Sequence, residues 1–285
     1  MTRSRVIVGI GEALMSEQPD SQCPAGLALE VPIHAVGLGH TGIAISRLGQ
    51  DRTAEDLRNQ LRQVGVDVSC LQSDPDLATG RLLVRSSGPR RSLGAPLAFD
   101  NLQWDFDLAD VAQRADAVVF GALARRSGQA RSTCDRFLAE CSVAFRIFDL
   151  TNRGGEKLDR HRVMAALKCS EAAVVDDAAL AQLFPETAGG PQKEAAGLLL
   201  RQADLTLVLF AAEGQPLGVY FGQRSQHTTH THRRQAHSAT IVGLLHGILA
   251  GSDMPDALAM AEQLAIHSLE NPGQPPPEQF VAKGV

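Results

Sequence analysis

The chain has 285 residues, of which 44% are hydrophobic and 21% are charged, and this composition supports a folded protein with a substantial core. Its formal net charge of −5 offers no positive footprint for a nucleic acid. No window approaches the ~18 consecutive apolar residues of a membrane span. We therefore expect a small-molecule or protein partner, with neither a nucleic acid nor a membrane as a partner.

The cysteines and the first residues indicate a reducing compartment. There are five cysteines, an odd number, and none forms a CxxC pair. The N-terminus runs directly into VIVGI, which has the pattern of a strand and lacks a leader of signal-peptide length. We therefore expect a cytoplasmic location, with Cys134 and Cys141 serving as small core side chains.

Short apolar runs alternate with helical patterns along the chain. After the runs VIVGI and IAI, a helix is predicted over 53–64, with Thr53 and Asp56 at its start and Gly65 as its left-handed stop. The runs DAVVFGAL, AFRIFDL, AAVVDD and LTLVLFAA predict further strands. This alternation predicts an α/β protein with a mostly parallel central sheet and helices on both faces.

Two later regions depart from the alternation. Residues of about 79–105 are polar and rich in turn residues, with one alternating strand, and predict a small β lid. The C-terminal part is helical, in SATIVGLLHGILAG and MPDALAMAEQLAIHSLEN, and a proline-rich tail follows it. No internal repeat or second core is evident, so we predict a single domain over 1–285.

Several of these segments together resemble the ribokinase-like (PfkB-type) carbohydrate kinases, in particular their fructokinase-like branch. The similar segments are VIVGIGEALMSEQPD, LRQVGVDVSCLQSDPDLATGRLLV, ADAVVFGALARRSGQARSTCDRFL, RIFDLTNR and ALAMAEQLAIHSLENPG. The resemblance implies a three-layer sandwich with a small β lid, through which these proteins often form homodimers. It also implies a sugar site at the C-terminal edge of the sheet and direct phosphoryl transfer from ATP.

The largest departure from this family lies just before the Gly-Leu-Leu-x-Gly helix. The family has Gly-Ala-Gly-Asp there, and its Asp is the catalytic base, whereas this chain has Gln235, Ala236, His237 and Ser238. A serine hydroxyl is not a base at neutral pH, and losing a general base costs ~10²- to 10⁴-fold in rate. The side chains at 235 and 237 would crowd the anion hole. We predict that Ser238 is the N-cap of the helix and that His237 is either a solvated loop histidine or a substitute base.

The positions that bind sugar in this family have also changed. The resemblance places the early sugar-binding Asp at Ser16, and its Gly-Gly-x-x-x-Asn run retains Gly26 but has Glu30 at the Asn position. We therefore expect weakened sugar recognition. On the phosphate and cation side, by contrast, Asp149 and Arg153 keep the spacing of the family's Asp-x-Asn-x-Arg.

The nucleotide and cation motifs are altered as well. The family's Asn-x-x-Glu aligns with 176–179, where Asp176 and Asp177 either attract a cation or cap a helix. The nucleotide-side Thr-x-Gly-x-x-Gly resembles LFAAEG, with Ala211 in place of the first Gly and Gly214 retained.

A cluster of histidines precedes the altered helix. It consists of His227, His230, His232 and His237. If the segment is a strand, His230 and His232 share one face and form either a metal pair or a solvated edge. No third ligand is evident, so we assign no metal. Arg233 and Arg234 would suit an anion such as phosphate.

The losses at the base, anion hole, sugar contacts and cation motif agree with one another. They predict a catalytically inactive carbohydrate kinase, a pseudokinase, that retains at most a pocket for a sugar or nucleotide. This interpretation assigns no cofactor. The alternative is an active ATP-dependent sugar kinase with a variant base, which would use ATP and Mg²⁺.

Overall fold

The computed structural model describes residues 3–18, 21–83, 94, 96–141, 143–151, 157–187, 190, 192–271 and 276. The chain divides into two compact units. The first comprises Met1–Ala144 with Glu270–Val285, and the second comprises Phe145–Leu269. The single domain predicted over 1–285 stays a prediction.

The first unit combines parallel strands with helices. Its strands are β1 (Val6–Ile10), β2 (Leu14–Gln18), β3 (Ser21–Ala25), β4 (Thr41–Gly49), β5 (Leu71–Asp74), β6 (Gly80–Leu83) and β7 (Ala117–Gly121). Its helices are α1 (Leu27–Gly37), α2 (Arg52–Gln63), α3 (Phe106–Arg114) and α4 (Gly128–Glu140). The order β7-β1-β4-β5 is parallel throughout. Helix α1 packs on β1 and β4.

A small second sheet lies in the same unit. Its order is β3-β2-β6, with β2 antiparallel to β3 and parallel to β6. Only β6 comes from the region predicted to form a β lid, and residues 84–93 and 95 of that region lie outside the described residues. The assignment of a lid mainly to 79–105 therefore stays a prediction.

The second unit continues the α/β pattern. Its strands are β8 (Phe145–Asp149), β9 (Ala172–Val175), β10 (Leu207–Phe210), β11 (Pro216–Phe221) and β12 (Arg224–Thr231). Its helices are α5 (Arg160–Leu167), α6 (Asp177–Leu183), α7 (Gln192–Ala203), α8 (His237–Ala250) and α9 (Met254–Glu270), whose last residue is counted with the first unit. The order is β12-β11-β10-β9-β8, with β8, β9 and β10 parallel and the remaining pairs antiparallel.

These arrangements confirm the predicted fold class, an α/β protein with a mostly parallel sheet flanked by helices. The runs AAVV of β9 and LVLF of β10 are buried along their whole length, as expected for parallel strands covered on both faces. The helix predicted over 53–64 is α2. Its N-cap is Asp51, whose Oδ1 accepts from the Ala54 backbone N–H at 2.9 Å. Gly65 follows it with a φ of 85°.

Helix α8 lies very close to α9 through two glycines. A Cβ built on Gly243 would lie 2.7 Å from the Cα of Ala261, and one on Gly247 would lie 2.6 Å from the Cα of Ala257. No larger side chain fits at either position without a backbone shift. The glycines therefore allow the close packing of α8 against its neighbour.

The predicted roles of the cysteines agree with the structure. Cys134 and Cys141 are buried in the first unit, as expected for small core side chains. Among the described residues, no helix is both long and apolar enough to cross a bilayer. A cytoplasmic location stays a prediction.

Candidate functional site

The residues that differ from the family's Gly-Ala-Gly-Asp, 235–238, lie between β12 and the first turn of α8, and we call them the altered turn. A short 3-10 turn over Arg234–Ala236 leads into the helix, which begins at His237 with Ala236 at the N-cap position. Ser238 is thus the second residue of the helix, buried in its first turn. The prediction that Ser238 is the N-cap is wrong, because the N-cap position of α8 falls two residues earlier, at Ala236, where the 3-10 turn runs into the helix.

His237 has a buried side chain at the start of α8. It is only 2% exposed, and its Nε2 lies 2.9 Å from Oδ2 of Asp149, the last residue of β8. Its Nδ1 lies 3.2 Å from Nε2 of His232, which is also buried. The solvated-loop interpretation of His237 is therefore wrong, because its imidazole forms part of a buried polar chain.

Asp149, at the carboxyl end of β8, is the third member of this row of buried polar side chains. Its Oδ1 accepts from the Thr151 backbone N–H at 3.0 Å and from the Thr151 hydroxyl at 2.7 Å. Thr151 stands where the resemblance expects an Asn, and it orients the carboxylate so that Oδ2 faces His237. Arg153, the other residue of this motif, lies outside the described residues.

The turn after β10 carries the nucleotide-side positions and contacts residue 232. Ala211 is buried, and Gly214 has a φ of 74°, which favours glycine. The Gly214 N–H donates to the His232 carbonyl at 2.9 Å, and the His232 N–H donates to the Gln215 carbonyl at 2.7 Å. Glu213 Oε2 accepts from the backbone N–H of Arg234 at 2.7 Å. The turn is thus tied directly to the approach to α8.

Asp176 begins helix α6 and acts as its cap. Its Oδ1 accepts from the Ala179 backbone N–H at 2.8 Å, which confirms the capping interpretation of this residue. Burial raises the pKa of the adjacent Asp177, and the charge of Asp176 adds to the rise. A cation at this position stays a prediction.

The histidines of the cluster do not form a metal pair. His230 is exposed, with its Nδ1 3.5 Å from Oε1 of Glu262, whereas His232 follows the end of β12 and turns inward to His237. The shared-face prediction for His230 and His232 is wrong, because strand alternation ends at Thr231. Among the residues that the structure describes, no group of three or more His, Cys, Asp and Glu could hold a metal ion.

The two arginines next to the cluster face an acidic neighbour. Arg233 Nη1 lies 3.7 Å from Oε1 of Glu213, and the side chains of both Arg233 and Arg234 are exposed. An anion at this place would compete with the Glu213 carboxylate for Arg233. The anion role proposed for this pair stays a prediction.

The sugar-side positions lie in the first unit, around the β2–β3 hairpin. Ser16 is buried and directly opposite Cys23 in the strand register. Burial raises the pKa of the Cys23 thiol, the charge of Glu30 raises it further, and a hydrogen bond with Ser16 lowers it. Gly26 precedes α1 with a φ of 94°, and Glu12 Oε1 accepts from the Leu27 N–H at 3.2 Å. The hairpin thus brings the Ser16 hydroxyl and the Cys23 thiol together, near enough to Glu30 of α1 for its charge to act on the thiol.

Solved structures provide the comparison with known proteins, because neither protein-family models nor curated proteins match this sequence. A fructokinase double mutant from Vibrio cholerae O395, in fructose, ADP and potassium ion bound form, is 17% identical, with a TM-score of 0.80 and 99% of both chains covered. Aminoimidazole riboside kinase from Salmonella enterica, complexed with aminoimidazole riboside and an ATP analog, is 20% identical, with a TM-score of 0.78 over 98% of this chain and 99% of that chain. The chain has the ribokinase-like fold of these sugar kinases.

A PfkB protein from Polaromonas sp. JS666 shares the same ribokinase-like fold, at 17% identity and a TM-score of 0.78, over 98% of this chain and 99% of that chain. The predicted resemblance to PfkB-type kinases is therefore confirmed at the level of the fold. At these identities the similarity says nothing about which residues act.

The residues predicted to form the site fall into two sets. Those predicted to bind sugar, Ser16, Gly26 and Glu30, lie in the first unit, and the described residues predicted for the base, anion hole, phosphate and nucleotide lie in the second. Sequence reasoning missed Cys23 as a sugar-side neighbour, although strand alternation across a hairpin would have paired it with Ser16. It also missed the contact of His232 with His237, for which the sequence carries no local signal.

Proposed function

We propose that this chain is a fructokinase-like member of the PfkB carbohydrate kinases that no longer transfers phosphoryl groups, that is, a pseudokinase. One observation carries the proposal. Ser238, which the resemblance places at the family's base position, lies in the first turn of α8, and both ring nitrogens of the neighbouring His237 face buried partners. The turn therefore offers no side chain suited to take a proton from a sugar hydroxyl.

The geometry of His237 argues against it as a substitute base. A general base needs a lone pair directed at the substrate proton, within about 2.6–3.2 Å of the hydroxyl oxygen. Nε2 of His237 faces Asp149 at 2.9 Å, and Nδ1 faces His232 at 3.2 Å. Taking a sugar proton would require His237 to leave one of these buried partners.

The residues on the phosphate side do not fit a magnesium nucleotide. Asp176 already accepts the N–H of Ala179 as a helix cap, which occupies one of its oxygens. Gln235 replaces a glycine of the anion hole, and Ala211 replaces a glycine of the nucleotide turn, so a phosphate cannot approach the backbone as closely. We therefore propose no catalytic step through Mg²⁺ or ATP.

A pocket for a small ligand is compatible with these losses. The neighbouring structures contain fructose, aminoimidazole riboside and adenine nucleotides. We propose that any ligand of this chain is a sugar or nucleotide, bound without turnover, and that Ser16, Cys23 and Glu30 contact its sugar part. A cytoplasmic location and a homodimer formed through the lid belong to the same proposal.

An assay of ADP release tests the proposal. With ATP and Mg²⁺, the protein should release no more ADP in the presence of fructose, ribose, ketohexonates or nucleosides than in the no-sugar blank. Ser238→Asp should not restore turnover, because the anion hole and the sugar contacts remain altered and such groups do not act additively. A sugar-dependent kcat near ~1 s⁻¹ in the unmodified protein would overturn the pseudokinase proposal.

The second candidate is an active sugar kinase with a variant base, favoured by the contact of His237 with the buried Asp149. It predicts a sugar-dependent rate within ~10²- to 10⁴-fold of an ordinary kinase. That rate should fall further in His237→Ala but not in His161→Ala, an exposed histidine of α5 in the same unit. Circular dichroism would verify that both variants are folded before their rates are compared.

A further inference from the structure

One proline of the proline-rich segment 272–277 is buried against the first unit. The segment follows α9, and the structure describes Pro276 of it, which is buried. Pro276 lies against Gly37, the last residue of α1, and both residues belong to the first unit. The two are far apart in the sequence, so the tertiary structure alone brings them into contact.

Gly37 makes the space that Pro276 fills. A Cβ built on Gly37 would lie 2.5 Å from Cγ and 2.7 Å from the backbone nitrogen of Pro276, and it would overlap Cδ. The φ of Gly37 is not positive, so its backbone conformation is open to residues with a side chain. Glycine is also a poorer helix former than alanine. What a glycine provides here is room for the ring of Pro276, and we call this space the glycine notch.

A proline suits the glycine notch because three carbonyls at the end of α1 already have donors. The carbonyls of His34, Ala35 and Val36 accept from backbone N–H groups of residues 38–40. Proline has no N–H group, so burying its backbone nitrogen leaves no donor unsatisfied. Its ring also loses little conformational entropy on docking. Any other residue at 276 would bring an N–H group to a place where these acceptors are already used.

The end of α1 is connected to the β2–β3 hairpin through one hydrophobic cluster. Leu29 and Ile33 of α1 share this cluster with Met15 of β2. Val36, the neighbour of Gly37, packs against the same cluster. Helix α1 also contacts β3 directly. Because closely packed side chains transmit displacements, a movement at the end of α1 reaches the hairpin.

We propose that Pro276, seated in the glycine notch, fastens the end of α1 and through it the β2–β3 hairpin. The proline-rich segment thereby controls how often the hairpin opens. Ser16 and Cys23 lie on this hairpin, and Gly26 precedes α1, so control over sugar binding follows from the fastening. That consequence rests on the proposed function, whereas the fastening itself does not.

Two substitutions remove the fastening from opposite sides. Pro276→Ala deletes two ring CH₂ groups from the buried contact, which should weaken docking about tenfold. Gly37→Ala fills the notch from the helix side and should release Pro276 at least as strongly. The new alanine would also favour the helical state of α1, which by itself slows opening of the helix end. Faster opening in Gly37→Ala therefore reports the lost contact.

Hydrogen exchange of the amides at 38–40 measures opening of the helix end. Corrected for intrinsic rates, exchange should be about tenfold faster in both variants than in the unmodified protein. The matched controls lie in the second unit, and Pro185→Ala, at an exposed proline, and Gly197→Ala, in α7, should leave these rates unchanged. Far-UV circular dichroism verifies folding, and Pro276→Ala decides alone if Gly37→Ala does not fold. Unchanged exchange in the folded test variants would overturn the proposal.

Alkylation of Cys23 tests the connection to the hairpin. Cys23 is partly buried on β3, and the exposed Cys169 of the second unit is the internal reference. With iodoacetamide, the ratio of Cys23 to Cys169 labelling should rise about threefold or more in the test variants, less than the full factor because Cys23 is already partly exposed. The ratio should stay constant in both controls. A constant ratio in the test variants would refute control of the hairpin, even with faster exchange at 38–40.

A double variant separates the contact from other effects of the new Cβ. Adding Gly37→Ala to Pro276→Ala should change exchange at 38–40 by less than about twofold, since the contact is already lost. A second tenfold acceleration would mean that the Cβ disturbs something other than Pro276, and the proposal would fail. The ADP-release assay can refute the pseudokinase proposal without affecting any of these rates, so the two proposals fail separately.

Discussion

Replacing Asp149 by Asn should destabilise the second unit strongly. Its carboxylate accepts from the Thr151 backbone N–H at 3.0 Å and from the Thr151 hydroxyl at 2.7 Å, and it lies 2.9 Å from the His237 ring. An Asn can keep the two bonds to Thr151 through its carbonyl oxygen, but its neutral amide can make only a neutral hydrogen bond with His237. The variant thus loses a buried charge-assisted bond, at ~1.5–3 kcal/mol. We therefore expect the free energy of unfolding to fall by about 1.5–3 kcal/mol.

Urea unfolding followed by far-UV circular dichroism at pH 7.5 measures this loss. The matched control is Asp177→Asn, which changes an exposed carboxylate whose pKa is raised by burial and by Asp176. Because the fold does not favour the charge at 177, the control should lie within about 0.5 kcal/mol of the unmodified protein. A loss below about 1 kcal/mol in Asp149→Asn would show that the contact with His237 does not hold the helix start in place.

Two further predictions concern packing and acid stability. Gly247→Ala should destabilise the protein by ~1–3 kcal/mol, because its Cβ would lie 2.6 Å from the Cα of Ala257. The control Gly197→Ala, in an open part of α7, should instead stabilise the protein by up to ~1 kcal/mol. Thermal unfolding that ranks the two variants in the opposite order would contradict the close packing of α8 and α9. In the first unit, burial alone would raise the pKa of Asp74, but hydrogen bonds, that from Asn101 foremost, lower it to about 2. The stability that Asp74 contributes, about 2 kcal/mol, should be complete above pH ~4 and lost as the pH falls towards 2, since the unfolded chain then binds the proton more readily. Urea unfolding between pH 4.5 and 2.5, followed by fluorescence of the single tryptophan, should show a smaller acid loss in Asp74→Asn, and equal losses would refute this account.

Local patterns were enough to predict the elements and the fold class. The helix predicted over 53–64 is observed as Arg52–Gln63, because apolar spacing and a following glycine are local properties of the chain. The start of this helix was predicted at Thr53, whereas the observed N-cap is Asp51, because several neighbouring polar residues can each accept from the first N–H groups of a helix. The strands β9 and β10 were evident as continuous apolar runs for the same reason.

The altered turn shows where local patterns fail. The sequence by itself supported the prediction that Ser238 stands at the position of the family's base, because it resembles that family on both sides of a turn that lacks the family's glycines. Only the tertiary structure decided where the His237 side chain lies, because its partner Asp149 is 88 positions away in the sequence. A histidine in a polar stretch has the same local pattern whether it is solvated or buried. Its environment depends on which distant carboxylate the fold places beside it, and the spacing of residues along the chain does not contain that information.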